Sequence, residues 1–153
     1  MKRYTVMDSS ISTDNRLPSS SLPPGAERKK HRLLLVEDNV EIRLLLARII
    51  TAHGLDVHHF PDGESALGFV DNDGRCFDIL VTDLVLPGMS GKQVYEQLRA
   101  RGAVRKAILI SGYADDLVAE AGRPNDDVDA LHKPFDPDAL IARIRAALPS
   151  STT

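Results

Sequence analysis

Residues 77–91 read "FDILVTDLVLPGMSG". Ile79, Leu80 and Val81 form an unbroken aliphatic run, as expected of a strand buried on both faces. The run then closes on a carboxylate, Asp83, and on the Pro87-Gly88 turn. Aspartate is common where strands turn, because its side chain bonds nearby backbone. The residue by itself therefore leaves two readings open, a cap or a chemical group, and the rest of the chain has to decide.

Working outward, the same alternation repeats. "LLLV" (33–36) is a buried strand closing on Glu37-Asp38, and "VEIRLLLARIITAHG" (40–54) places Ile42, Leu45, Leu46 and Ile49 on one helical face, with Gly54 as the stop. "LDVHHF" (55–60) is the second strand, and 62–70 is a short helix with Asp62 at its N-cap. After the third strand (77–83), residues 90–102 form a helix with Val94 and Leu98 four apart. "AILIS" (107–111) is the fourth strand, 114–122 a weak helix ended by Gly122, and "VDALH" (128–132) the fifth strand. The last helix spans 136–148, with Asp136 at the N-cap and Pro137 at the first helical position. Five aliphatic strands alternating with five helices predict an α/β domain, a doubly wound five-stranded parallel sheet covered on both faces.

In such sheets the ligand site lies beyond the carboxyl ends of the strands. Glu37 and Asp38 follow the first strand, Asp83 ends the third, Ser111 ends the fourth and Lys133 follows the fifth. Three crowded carboxylates are costly without a cation among them. Oxygen ligands completed by water suit Mg²⁺. A metal, an ammonium and a hydroxyl around one carboxylate form a site for a phosphoryl group, whose oxygens need that neutralisation during transfer. Asp83 is then the nucleophile, forming an aspartyl phosphate.

Composition sets the frame. The 153 residues are 42% hydrophobic and 27% charged, which fits one domain with a proper core. Residues 1–30 carry six Lys/Arg against three Asp/Glu, leaving 13 against 19 for the remainder. The acidic body is not expected to bind nucleic acid directly. The Ser- and Pro-rich segment 1–30 reads as a disordered tail or linker, 31–149 as the domain and 150–153 as a short C-terminal tail. The basic cluster 28–32 reads as a solvated linker end. No apolar run is long enough for a membrane span, and the start has no secretory apolar core. A single cysteine, Cys76, read as a packing or partly exposed thiol, suits a reducing compartment, so a cytoplasmic setting is expected.

The order and spacing of "LLLVEDN", "ILVTDLVLPGMSG", "ILISGYAD" and "LHKPF" resemble the receiver domain of two-component response regulators across residues 32–148. The resemblance implies the flavodoxin-like receiver fold, (βα)5, and a phosphorelay role. Asp83 is then the phosphoacceptor, Asp38 a direct Mg²⁺ ligand, Glu37 a ligand through water, and the Val85 backbone carbonyl a further ligand. Ser111 is the switch hydroxyl and Lys133 the phosphate-binding lysine, with a cis Lys133–Pro134 peptide. Implied partners are a histidine kinase or histidine phosphotransfer protein. The chain would not be an enzyme in its own right, although it would catalyse its own phosphoryl transfer and slow self-dephosphorylation. One position departs from the pattern. Three residues before the lysine many members carry an aromatic residue that swings inward; here it is Ala130. Tyr113 is a candidate replacement, or simply a loop residue.

A haloacid dehalogenase-type phosphatase also uses an aspartate after a strand, with a second acid two positions on as general acid/base. That position is Val85. A metal site at His53, His58 and His59 is disfavoured because neighbouring residues of a strand point to opposite faces, so these read as surface histidines. None of the five histidines argues for a phosphate-donating role. Only "PSSTT" follows the last helix, so no DNA-binding domain is expected. A stand-alone regulator and a receiver excised from a hybrid sensor kinase both remain open.

Overall fold

The structure is a computed structural model that describes residues 30–113 and 127–149. Its strands are β1 (Arg32–Val36), β2 (Asp56–Phe60), β3 (Ile79–Asp83), β4 (Lys106–Ser111) and β5 (Val128–His132). Its helices are α1 (Val40–Ala52), α2 (Gly63–Asp73), α3 (Gly91–Ala100) and α4 (Pro137–Ala147). The expected helix at 114–122 lies outside the described residues.

All four strand pairs are parallel, in the order β2-β1-β3-β4-β5. The chain therefore leaves β1 for β2 on one side and then crosses to β3 on the other. That reversal opens a crevice beyond the ends of β1 and β3. Strand parity sorts the core into two layers. Leu33, Leu35, Ile79, Val81, Ile108 and Ile110 pack against α1 and α4 through Leu46, Ile50, Leu140 and Ile144. Leu34, Val36 and Leu80 pack against α2 and α3 through Leu67, Val70, Val94 and Leu98. The near-continuous aliphatic strands are a consequence of this burial on both faces.

The caps are local chemistry. Asp62 accepts the Ser65 N–H at 2.7 Å to start α2, and Asp136 with Pro137 starts α4. Helix α3 opens on a full capping box: Gln93 N–H donates to Ser90 Oγ at 3.2 Å and Ser90 N–H to Gln93 Oε1 at 2.8 Å. His53 caps α1, and Gly54 comes next at φ 93°, open to glycine at little cost.

Two expectations need correction. The buried stripe of α1 is Leu46, Ala47 and Ile50, with Ile49 half-buried; Ile42 and Leu45 are exposed. The helix meets the sheet over its second half, and its first turns project past the strand ends. Arg32, read as part of a solvated basic cluster, instead opens β1. Its guanidinium bonds Asp73 Oδ2 at 3.2 Å and the Cys76 carbonyl at 3.0 Å, and lies 4.2 Å from the Phe77 ring centroid. Held half-buried between an acid and an aromatic face, it ties β1 to the end of α2.

Candidate functional site

The site is assembled by register. Val36 pairs with Thr82, so the next residue of each chain segment, Glu37 and Asp83, arrives level at the carboxyl edge. Parity puts both on the α1/α4 side, with Val81 and Leu35. Glu37 and Asp83 are buried, at 3% and 8% exposure, whereas Asp38 is exposed. One carboxylate oxygen from each of the three lies within 4.8 Å of the others.

Lys133, just beyond β5, reaches this cluster from the other side. Its Nζ lies 3.1 Å from Asp83 Oδ1, donates to Asp83 Oδ2 at 3.3 Å, and is 4.0 Å from Glu37 Oε1. The ammonium thus sits against both Asp83 oxygens, in ion-pair contact with Oδ1 and hydrogen-bonded to Oδ2. The Lys133–Pro134 peptide is cis, as expected.

The electrostatics are unfavourable for a bare site. Burial, with Asp83 alongside, pushes Glu37 up to about 7. Burial also raises Asp83, against the opposing hydrogen bond and charge of Lys133. One ammonium does not compensate three carboxylates, and two buried acids resist ionising together. An all-oxygen donor set within 4.8 Å and this excess of negative charge fit a small divalent cation.

Ser111 ends β4 and is buried; its Oγ accepts the Tyr113 N–H at 3.0 Å. Asp83, Val85, Ser111, Tyr113 and Lys133 line one cavity of about 360 Å³. All the candidate residues therefore meet at one edge. Val85 and Tyr113 stand on the rim, 65% and 69% exposed. Ala130 sits in β5 opposite Leu109, and its carbonyl accepts from Arg143 Nη1 at 2.6 Å.

Three neighbours carry no role in the reading of the sequence. Asn39 N–H donates to Glu37 Oε2 at 3.1 Å while Asn39 Oδ1 accepts the Ile42 N–H at 3.0 Å, capping α1. Arg43 Nη1 donates to the Glu37 carbonyl at 3.0 Å. Gly91, the first residue of α3, packs on the Asp83 backbone. Asn39 was legible as an N-cap before the α1 periodicity; Arg43 and Gly91 carried no local signal. The histidines do not converge: His58 stacks on Phe69 with centroids 5.2 Å apart, on the α2 side. His59 points the other way and is held below its ordinary value by burial and then by Arg43. Both are half-buried rather than plain surface residues.

The family model for the response regulator receiver domain matches residues 33–145. Among curated relatives, the sensory transduction protein RegX3 of Mycobacterium tuberculosis (strain ATCC 25618 / H37Rv) is 37% identical over 116 residues, 76% of this chain and 50% of that protein. RegX3 of Mycolicibacterium smegmatis matches to the same extent. The chain thus spans about half the length of these relatives. Among solved structures, the receiver domain from the hybrid histidine kinase CckA is similar with a TM-score of 0.64 and 30% identity, over 77% of this chain and 99% of that one. The chemotaxis response regulator CheY4 of Vibrio cholerae shares the fold at a TM-score of 0.65 and 21% identity, over 78% of this chain and 100% of that one.

Proposed function

The chain belongs to the response regulator receiver domain family of two-component signalling, and from that membership we propose that Asp83 accepts a phosphoryl group from a histidine of a kinase or phosphotransfer protein. The observation that carries this reading is the Asp83 carboxylate, buried at a strand end and facing the Lys133 ammonium and two further acids.

The step is a displacement at phosphorus. An Asp83 oxygen forms the new P–O bond as the P–N bond to the donor imidazole breaks. The electron pair stays on the imidazole nitrogen, which takes up a proton. Lys133 holds the charge of the arriving group, and Ser111 offers a hydroxyl on the same cavity. Asp38 would hold Mg²⁺ directly, Glu37 through a water, and the Val85 carbonyl and Asp83 would complete the protein's share. When bound, the ion supplies neutralisation of the transferring phosphoryl oxygens. The protein is an acceptor that promotes its own labelling and slow self-dephosphorylation, not a turnover enzyme. The cytoplasm suits this role, and a single cysteine leaves no internal disulfide to maintain there.

The partner is a helical, histidine-bearing protein. All six exposed large hydrophobics among the described residues (Val40, Ile42, Leu44, Leu45, Val85 and Tyr113) lie on the first turns of α1 or in the loops after β3 and β4, and Val85 and Tyr113 share a cavity with Asp83. Ile42 and Leu45 also line a groove of about 450 Å³ with Pro134 and Phe135. Such an apolar rim suits an amphipathic helix. A receiver working within a hybrid-kinase relay is the second reading, favoured by the similarity to the CckA receiver. The phosphatase reading lacks its second acid, since Val85 is apolar and exposed.

The test is Asp83→Asn. With Mg²⁺ and acetyl phosphate, wild type takes label and the variant takes none by intact mass. Wild-type labelling of Asp83→Asn overturns the assignment.

A further inference from the structure

Helix α3 returns to touch the strand that precedes it. Gly91 N–H donates to the Leu84 carbonyl at 2.8 Å, so the helix begins against the end of β3. Its other side is fixed by the capping box and by Val94 and Leu98, both fully buried. A Cβ built on Gly91 falls on the Asp83 carbonyl oxygen, closer than any non-bonded contact, and 3.0 Å from both the Asp83 carbonyl carbon and Thr82 Cγ2.

The obstacle is backbone, which cannot rotate away as a side chain can and yields only by a shift of the chain. Asp83 is paired with Ile110 of β4, and Leu84 N–H donates to the Ile110 carbonyl at 2.8 Å. The buried Thr82 hydroxyl donates to the same Asp83 carbonyl at 2.9 Å. Gly63 offers a contrast: a Cβ there meets Val94 Cγ2 at 2.6 Å and Met89 Cγ at 2.7 Å, which are side-chain atoms able to rotate. Gly91 is not among the positive-φ glycines. Its requirement is close approach, not handedness.

We propose that Gly91 is a positioning residue for phosphoryl acceptance: the missing side chain lets α3 seat the Asp83 backbone at the depth where its carboxylate meets Lys133 and the Glu37–Asp38 pair. This rests on the reading of Asp83 as phosphoacceptor. Any side chain at 91 displaces either α3 or Asp83. The helix is anchored by two buried aliphatics, so part of the shift falls on Asp83. A displacement near 1 Å at a reacting group costs about 10²-fold in rate.

The experiment compares Gly91→Ala with Leu98→Ala, a cavity in the same helix that is not adjacent to Asp83. Both are made in a Gly68→Ala background. Position 68 is exposed on α2 with nothing within 4 Å of an added Cβ, so alanine there stabilises the helix. Each chain is assayed for melting temperature, Mg²⁺ affinity by calorimetry, and labelling rate across acetyl phosphate concentrations. Gly91→Ala is expected to fold, to lose about 10²-fold in maximal labelling rate, and to bind Mg²⁺ more weakly. Leu98→Ala is expected to lose melting temperature and keep its rate within about twofold. A Gly91→Ala rate within about twofold of background overturns the proposal, and so does a Leu98→Ala rate that falls equally far. A Gly91→Ala chain that does not fold also overturns it, because the close approach then serves the fold alone. A background chain that takes no label refutes the phosphoacceptor reading itself.

Discussion

At the scale of single residues, with Asp83 as the proposed phosphoacceptor, Val85 and Tyr113 are expected to set the lifetime of the aspartyl phosphate. Its hydrolysis needs a water held in line with phosphorus. Both side chains stand on the rim of the cavity that contains Asp83 and Lys133. Val85 has no polar atom to orient a water, and Tyr113 is bulky enough to obstruct one. Loss of a positioned water slows such a reaction by about 10²-fold. The phosphorylated form is therefore expected to be long-lived. Val85→Asn should speed its decay after donor removal, with no phosphatase present, by about tenfold or more. Unchanged or slower decay removes Val85 from this role while leaving Asp83 in place. Ala130 bears on the same scale: with alanine three positions before Lys133, the proposed switching is expected to pass through other groups near Ser111.

At the scale of elements, α1 divides along its length. Its second half buries Leu46, Ala47 and Ile50, while its first turns hold Val40, Leu44 and Leu45 half exposed or more. Leu44 is half exposed beside Val40 and Leu45, on the surface assigned to the proposed partner helix. Leu44→Glu places a charge on the proposed docking helix. Transfer from a kinase or phosphotransfer protein should slow about tenfold, as expected from losing one apolar contact of ~1.4 kcal/mol at an interface. Labelling by acetyl phosphate, which needs no docking, should be unchanged. Equal loss with both donors would identify a folding defect instead.

At the scale of the whole molecule, the acid cluster opposes the fold. Glu37 has its folded-state value raised from 4.5 to about 7, and Asp83 is raised as well, both by burial first. An acid raised on folding binds more protons in the native state. Stability is therefore undiminished below the unfolded value and falls as pH climbs through the folded one. For Glu37 the window is 4.5 to about 7. In the presence of a chelator the melting temperature should drop from pH 5 to pH 8. Glu37→Gln should flatten that drop and raise the melting temperature at pH 8. Millimolar Mg²⁺ should restore wild type at pH 8 and do little for the variant, because a ligand bound only by the native state stabilises it. Calorimetry in chelator and in Mg²⁺ checks all three. A wild-type melting temperature that is flat or rising from pH 5 to pH 8 in chelator would contradict this linkage.

The alternation of aliphatic runs with amphipathic segments was enough to specify a parallel α/β sheet, because burial on both faces leaves strands no room for polar residues. Glu37, Asp38, Asp83, Ser111 and Lys133 were legible for the same reason: each sits where a strand runs out, and parallel topology sends every such end to one edge. The caps at Asp62 and Asp136 were equally local, whereas the cis Lys133–Pro134 peptide followed from the family resemblance. Distance and sidedness were decided by tertiary packing alone. Whether α1 buries Leu45 or Leu46 depends on where the helix crosses the sheet, and the 3.6-residue period permits both. Arg32 looked like part of a basic linker because its acceptors, Asp73 and the Cys76 carbonyl, lie about 40 residues away in the chain. Gly91 carried no signal beyond its place at the start of the predicted helix 90–102. Only the return of α3 against β3 shows that the Asp83 backbone occupies the space a side chain there would need.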